Sequence, residues 1–249
     1  MLSGLDLFSG IGGITLALRP WVRPIAYCEN DRWAQACLLS RMYDGSLPNA
    51  PIWDDVSTLS KDIIGPEPID IIYGGFPCQD ISCAGLGAGL GGKRSGLFFE
   101  IARLVGELRP NFVFLENVPA ITTRGLTEVC LALTALGYDC RWTIVSAAEI
   151  GAVHIRERWF LLAHANGLRL REECGPQVGW DNSVRKGQAL ANCPSSQGRD
   201  TESSEREIKP RVVRTGDGIP YCVDRAHGLG NAVVPAQARE AFKRLMGLT

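Results

Sequence analysis

Over its first 165 residues the chain alternates short, continuously apolar runs with stretches whose apolar residues recur at helical spacing. This alternation constrains the fold more than any other feature. A run of four to eight apolar residues suits a strand buried on both faces, and an intervening helix is what carries the chain back to lay the next strand parallel to the last. Strands are predicted over Gly4 to Phe8, Ile25 to Cys28, Ile69 to Tyr73, Phe112 to Leu115, Arg141 to Val145 and Trp159 to Ala163. Helices are predicted over Asp31 to Tyr43, Leu97 to Leu108 and Thr127 to Leu136. The second is the cleanest: Leu97, Phe98, Ile101, Leu104, Val105 and Leu108 share one face, with Ser95 placed to cap and Pro110 to stop it. The expected fold is α/β, with a doubly wound, mainly parallel sheet.

From about Asn166 to Arg225 the texture changes to Gly, Ser, Asn, Arg and Glu, as in CPSSQGRDTESSEREIKPR. Three regions are therefore expected: 1–165 as the main domain, 166–227 as a small, loop-rich lobe, and 228–249 as a returning segment ending in a helix from about Pro235 to Met246. At 249 residues, 45% hydrophobic and 21% charged, the chain can bury a core without disulfides. Its nine cysteines are odd in number, scattered, and nowhere spaced C-x-x-C, so neither a disulfide framework nor a metal site is expected. No apolar run approaches the length of a membrane span and no signal peptide is recognisable, which sets the expectation of a cytoplasmic protein with no membrane partner. A net charge of −1 excludes a wholesale basic coat, though not a local basic face.

In an open doubly wound sheet, ligands bind beyond the carboxyl ends of the strands, and the unusual residues gather there. One predicted strand ends in Phe8-Ser9-Gly10-Ile11-Gly12-Gly13, the next in Glu29-Asn30-Asp31, a third in Gly74-Gly75-Phe76-Pro77-Cys78-Gln79, a fourth in Glu116-Asn117-Val118. The glycine turn lets a ligand approach backbone at a helix start, and an acid some twenty residues on suits ribose hydroxyls. A tight strand–helix turn and a solvated helix start are the plain alternatives for these two. Cys78, after a proline at a strand end, reads as a nucleophile rather than a core thiol. Six glycines between Gly85 and Gly96 read as a movable lid. Gly87 with Gly92-Lys93 mimics a phosphate loop, but Arg94 stands where a Ser or Thr is required, which argues against a nucleotide triphosphatase.

Together these residues resemble the DNA cytosine-5 methyltransferase family of bacterial and phage type. The resemblance is carried, in order, by DLFSGIGG (6–13), CEND (28–31), WDDV (53–56), GGFPCQDIS (74–82), GLFFEIARLV (96–105), LENV (115–118), HIRERWFLLA (154–163) and GNAVVP (230–235). It implies a Rossmann-like domain that transfers a methyl group from S-adenosyl-L-methionine to carbon 5 of a cytosine flipped out of double-stranded DNA, through a covalent cysteine adduct. By the same resemblance Cys78 is the nucleophile and Glu116 contacts the ring nitrogen and exocyclic amine. Arg158 meets the base oxygen, Arg156 supports the site, and Asn117 holds the catalytic loop. Phe8, Gly10, Ile11, Gly12, Glu29, Asn30, Asp55, Val56, Pro77, Leu97, Asn231 and Ala232 are assigned to the cofactor, and Gln79, Ser82, Lys93 and Arg94 to DNA.

Arg156 and Arg158 alternate, which puts both on one face of an incoming strand. Two features depart from the family pattern. His154 stands where the arginine motif opens with glutamine, and only about sixty residues are available for a target-recognition lobe. Residues 181–225 hold eight basic and seven acidic side chains, so no strong basic patch shows; Arg211 and Arg214 are the candidates for DNA contact there. A lobe this small predicts a recognition sequence of roughly two to four base pairs. The resemblance further implies a monomer, with a cognate restriction endonuclease as companion where the setting is restriction-modification. An RNA cytosine-5 methyltransferase and a catalytically idle DNA-binding relative remain as alternatives; intact Cys78, Glu116, Arg156 and Arg158 argue against the second.

Overall fold

The computed structural model describes residues 1–77, 96–168, 179–180 and 232–248. Its strands are β1 (Leu2–Leu7), β2 (Val22–Cys28), β3 (Ile52–Trp53), β4 (Ile71–Gly75), β5 (Phe112–Asn117), β6 (Tyr138–Ser146), β7 (Glu157–Ala165) and β8 (Gly179–Trp180). The helices are α1 (Gly13–Leu18), α2 (Arg32–Tyr43), α3 (Lys61–Ile64), α4 (Leu97–Leu108), α5 (Ile121–Arg124), α6 (Leu126–Ala135) and α7 (Pro235–Met246). One sheet joins all eight strands in the order β3-β2-β1-β4-β5-β7-β6-β8. The first five strands pair in parallel. β7 then enters antiparallel between β5 and β6, and β8 runs antiparallel to β6. The chain grows outward from β1 through β2 to β3, then returns to place β4 on the other side of β1. That reversal makes the gap between the ends of β1 and β4 the place where a crevice opens.

Period-two alternation divides the strands between two cores. Leu5 and Leu7 of β1, Ile72 of β4 and Val113 and Leu115 of β5 face Phe98, Ile101, Leu104 and Val105 of α4, with Val129 and Leu133 of α6. On the other face Ile71, Tyr73, Phe114, Phe160 and Leu162 pack against Ile14, Ala17 and Leu18 of α1 and Ala238, Ala241, Phe242 and Leu245 of α7. Burying each large apolar side chain of this kind stabilises the fold by about 1.5–3 kcal/mol. Thus α7, from the end of the chain, completes the face begun by α1.

Several boundaries differ from expectation. Ser95 lies outside the described residues; the cap position of α4 is Gly96, which makes no side-chain cap bond. α2 is capped by Asp31, whose carboxylate accepts from the Ala34 N–H at 2.8 Å. α6 is followed by Gly137 at φ 90°, where the chain turns directly into β6. β7 begins at Glu157, so Arg156 precedes the strand rather than alternating with Arg158 along it. The pair β8 and β6 puts regular backbone at 179–180, inside the stretch expected to be loop-rich.

Candidate active site

The turn after β1 is built from unusual backbone. Phe8, Gly10 and Gly12 have φ of 53°, 54° and 80°, all left-handed, a conformation that costs a side-chain-bearing residue such as Phe8 energy and glycine nothing. Hydrogen bonds hold the turn from below and from the side. Ser9 donates its N–H to the Cys28 carbonyl at 3.1 Å and its hydroxyl to the Asp6 carbonyl at 3.0 Å. Gly10 donates its N–H to Glu29 Oε2 at 2.7 Å, and Asp31 donates its N–H to Glu29 Oε1 at 2.8 Å. Arg41 of α2 reaches back to the Ile11 carbonyl. The Glu29 carboxylate therefore latches the turn after β1 to the start of α2, and each of its oxygens keeps acceptor capacity for a ligand hydroxyl.

Beneath the turn, Asp6 is 1% exposed and accepts from the Thr15 hydroxyl at 2.6 Å, and Thr15 is 2.8 Å from the Tyr73 hydroxyl. Burial pushes the Asp6 carboxyl up to about 8, partly opposed by the Thr15 hydrogen bond and reinforced by the charge of Glu29.

A cavity of about 250 Å³ opens over this turn. Phe8, Gly10, Ile11, Glu29, Asn30, Pro77 and Ala232 line it, as does Glu116 from the end of β5. The glycine turn, the Glu29 latch and Glu116 thus share one space although they come from three strands. Gly12, Asp55, Val56 and Leu97 do not line it. The Gly12 Cα faces Leu47; the exposed Asp55 accepts the N–H and hydroxyl of Ser57 and so serves its own turn; Val56 is buried in the core and Leu97 packs against it. Trp33, half-buried in the first turn of α2, does line the cavity, as do Gly75 and Val233. Sequence reasoning passed over Trp33. The available signal was its place two residues past the Asp31 cap, on the turn that follows Glu29.

Glu116 forms an ion pair with Arg158, Nε to Oε1 at 2.9 Å. Burial pushes its carboxyl up to about 7, against the opposing pull of Arg158 and Arg156. A carboxyl poised there can donate a hydrogen bond near neutrality while its arginine neighbours still accommodate the ionised form. Space for it exists only because residue 75 is glycine: a Cβ there would lie 2.7 Å from Glu116 Oε2. Asn117, 3% exposed, donates to the Phe76 carbonyl at 2.9 Å and accepts the Val118 N–H at 2.8 Å, which ties the exit of β4 to that of β5. Arg156 donates to the Ala232 carbonyl at 2.9 Å, and its charge also acts on Glu116. Cys78, Gln79, Ser82, Lys93, Arg94, Arg211, Arg214 and Asn231 lie outside the described residues, as does the glycine-rich stretch between Gly85 and Gly96 apart from Gly96 itself. Pro77, on the cavity wall, is the last described residue before Cys78. Among the described residues no group of three metal-ligating side chains gathers, and no helix is long and apolar enough to cross a membrane.

The chain is 40% identical over 160 residues to the type II methyltransferase M.CviJI of Paramecium bursaria Chlorella virus IL3A, covering 64% of this chain and 42% of that protein. It is 33% identical over 172 residues to the type II methyltransferase M.HhaI of Haemophilus parahaemolyticus, covering 67% and 50%. The chain thus spans about half the length of the curated relatives it matches. The solved structure of a protein encoded within an E. coli prophage superposes with a TM-score of 0.56 at 31% identity, covering 70% of this chain and 49% of the other. A family model described as C-5 cytosine-specific DNA methylase matches residues 2–216, and the chain belongs to that family.

Proposed function

We propose that this chain transfers a methyl group from S-adenosylmethionine to carbon 5 of cytosine in double-stranded DNA. The observation that carries the reading is the single cavity into which the glycine turn, the Glu29 carboxylate and the Arg158-paired Glu116 all open. The donor set fits the cofactor: bare backbone at the turn, an acid with spare acceptor capacity for ribose hydroxyls, and the aromatic side chains of Phe8 and Trp33 on the walls. When bound, S-adenosylmethionine supplies an electrophilic methyl group on a sulfonium.

Cytosine carbon 5 is not nucleophilic until carbon 6 carries an added group. In this reading the Cys78 thiolate forms a bond to carbon 6, and the displaced electron pair moves through the ring. Protonated Glu116 donates to ring nitrogen 3, where that charge accumulates, with Arg158 holding the carboxyl in place. Carbon 5 would take the methyl as its bond to the sulfonium breaks and a neutral thioether is left; the carbon 5 proton would leave to a base, the electron pair would reform the ring double bond as the carbon–sulfur bond breaks to release the Cys78 thiolate, and ring nitrogen 3 would return its proton to Glu116. Asn117, through Phe76, fixes the strand exit from which Cys78 is presented. The base reaches the cavity by leaving the duplex stack. Monomeric action, a companion endonuclease, and contacts to DNA through Gln79, Ser82, Lys93, Arg94, Arg211 and Arg214 belong to the same proposal.

Labelled methyl transfer to duplex DNA and to tRNA, with wild type and Cys78→Ser, tests it. Transfer to DNA by wild type alone is expected, together with a stable adduct on DNA containing 5-fluorocytosine, whose fluorine cannot leave as a proton. Transfer only to tRNA, full activity of Cys78→Ser, or no adduct from an active enzyme would overturn the reading.

A further inference from the structure

Gln237 lies in the first turn of α7 and is 0% exposed. Its side-chain N–H₂ donates to two main-chain carbonyls on a different part of the fold: Val145 at 2.7 Å and Arg156 at 2.5 Å. These carbonyls are not arbitrary. Val145 is the register partner of Arg158 in the β6–β7 ladder, and Arg156 precedes Arg158 by two residues. The two carbonyls therefore bracket Arg158, one from β6 and one from the segment that leads into β7. The attachment is also reciprocal. Arg156 donates its guanidinium back to the carbonyl of Ala232, on the segment leading into α7. Between these two grips, Val233 lies against Gly13, where a Cβ would meet its side chain at 2.8 Å, and itself lines the cavity.

We propose that Gln237 is a positioning residue for the Glu116–Arg158 pair. It acts at a distance from the cavity by fixing the backbone on both sides of Arg158, so that the guanidinium meets the carboxyl at 2.9 Å. A buried amide that merely filled its own hydrogen-bonding needs could do so within its helix. This one reaches to β6 and to the segment entering β7 and places both donors on the backbone that frames Arg158. The end of the chain is thereby part of the base-binding half of the site, not only a wall of the cofactor half.

The role attributed to the pair rests on the function proposed above, whereas the positioning itself is measurable without it. In the full chain labelled with carboxyl-¹³C glutamate, Glu116 is assigned by its loss in Glu116→Gln and titrated by NMR. Gln237→Met keeps the length of the side chain and removes both donors. Because Arg158 and Arg156 hold the Glu116 carboxyl down, releasing them is expected to move its midpoint upward. Single-turnover methyl transfer should fall by about tenfold to a hundredfold, the penalty of a small misalignment, with the affinity for S-adenosylhomocysteine unchanged. Gln237→His retains one N–H donor and should give a smaller shift in the same direction, which also serves should Gln237→Met not fold. An unmoved Glu116 midpoint in a folded variant would overturn the proposal, even if the melting temperature drops. A wild type that methylates no DNA would instead sink the functional reading and leave the titration in force.

Discussion

Glu116 meets two opposing influences, burial that favours its neutral form and two arginines that favour its charge. With the midpoint at about 7, its carboxyl proton is present below neutrality and lost above it. Single-turnover methyl transfer at saturating cofactor should therefore decline as pH rises through about 7, and Glu116→Gln should flatten that limb while lowering the rate throughout. Gly75→Ala forces the same carboxyl aside, because a Cβ cannot sit 2.7 Å from its oxygen. A rate loss of about tenfold or more is expected in a folded protein. Glu29 is a separate case. It binds two backbone N–H groups before any ligand arrives, so Glu29→Ala both removes an acceptor and unlatches the turn. Cofactor affinity by calorimetry should weaken by about 1.5–3 kcal/mol with saturated turnover little changed. Unchanged affinity would place Glu29 outside the binding site.

The elements around the site are tied together by a few long polar side chains. Arg103 of α4 pairs with Glu100 and Glu107 at 2.7 and 2.8 Å and donates to the carbonyls of Val56 and Leu59 at 3.0 and 2.8 Å. It holds the loop that follows β3 against the helix. Arg103→Ala should destabilise the protein by ~1–3 kcal/mol and raise amide exchange around Leu59, with β5 and β7 unaffected. Bonds of this kind explain what sequence reading could and could not reach. The centres of β1, β4, β5 and α4 were legible because burial on both faces, or on one helical face, writes a local apolar pattern. β3, α3 and α5 are too short to carry a period. The reversed direction of β7 is set by the chain path from 147 to 156 and leaves no mark on its composition. The glycine turn, Glu29 and Glu116 were legible as strand-end residues that no core requires. Trp33 and Gln237 were not, because each looks like an ordinary helical residue until tertiary packing shows what it faces.

At the scale of the whole molecule, Asp6 makes stability depend on pH. Its carboxyl rises from 3.8 to about 8 on folding, so the folded state holds a proton that the unfolded chain releases. That contribution is fully present below about 3.8 and is lost progressively as pH rises to about 8. Melting temperatures should fall across this window in wild type and less steeply in Asp6→Asn. DNA binding is expected to follow the small lobe: Arg211→Ala with Arg214→Ala should weaken it and reduce its salt dependence while sparing cofactor affinity. The antiparallel course of β7 bears on that lobe. Glu157 stands level with the active-site end of the sheet and Ala165 at the opposite end, eight residues away at about 3.3 Å each. The chain therefore departs for residues 166–231 about 26 Å below the end of the sheet near which Ala232 meets Arg156. A crossing of the sheet's full height is a fixed toll of about eight residues before any of the segment can reach toward a base. Deletions could shorten the lobe only to that span; beyond it, the tether would pull Ala232 off Arg156 and open the site from behind.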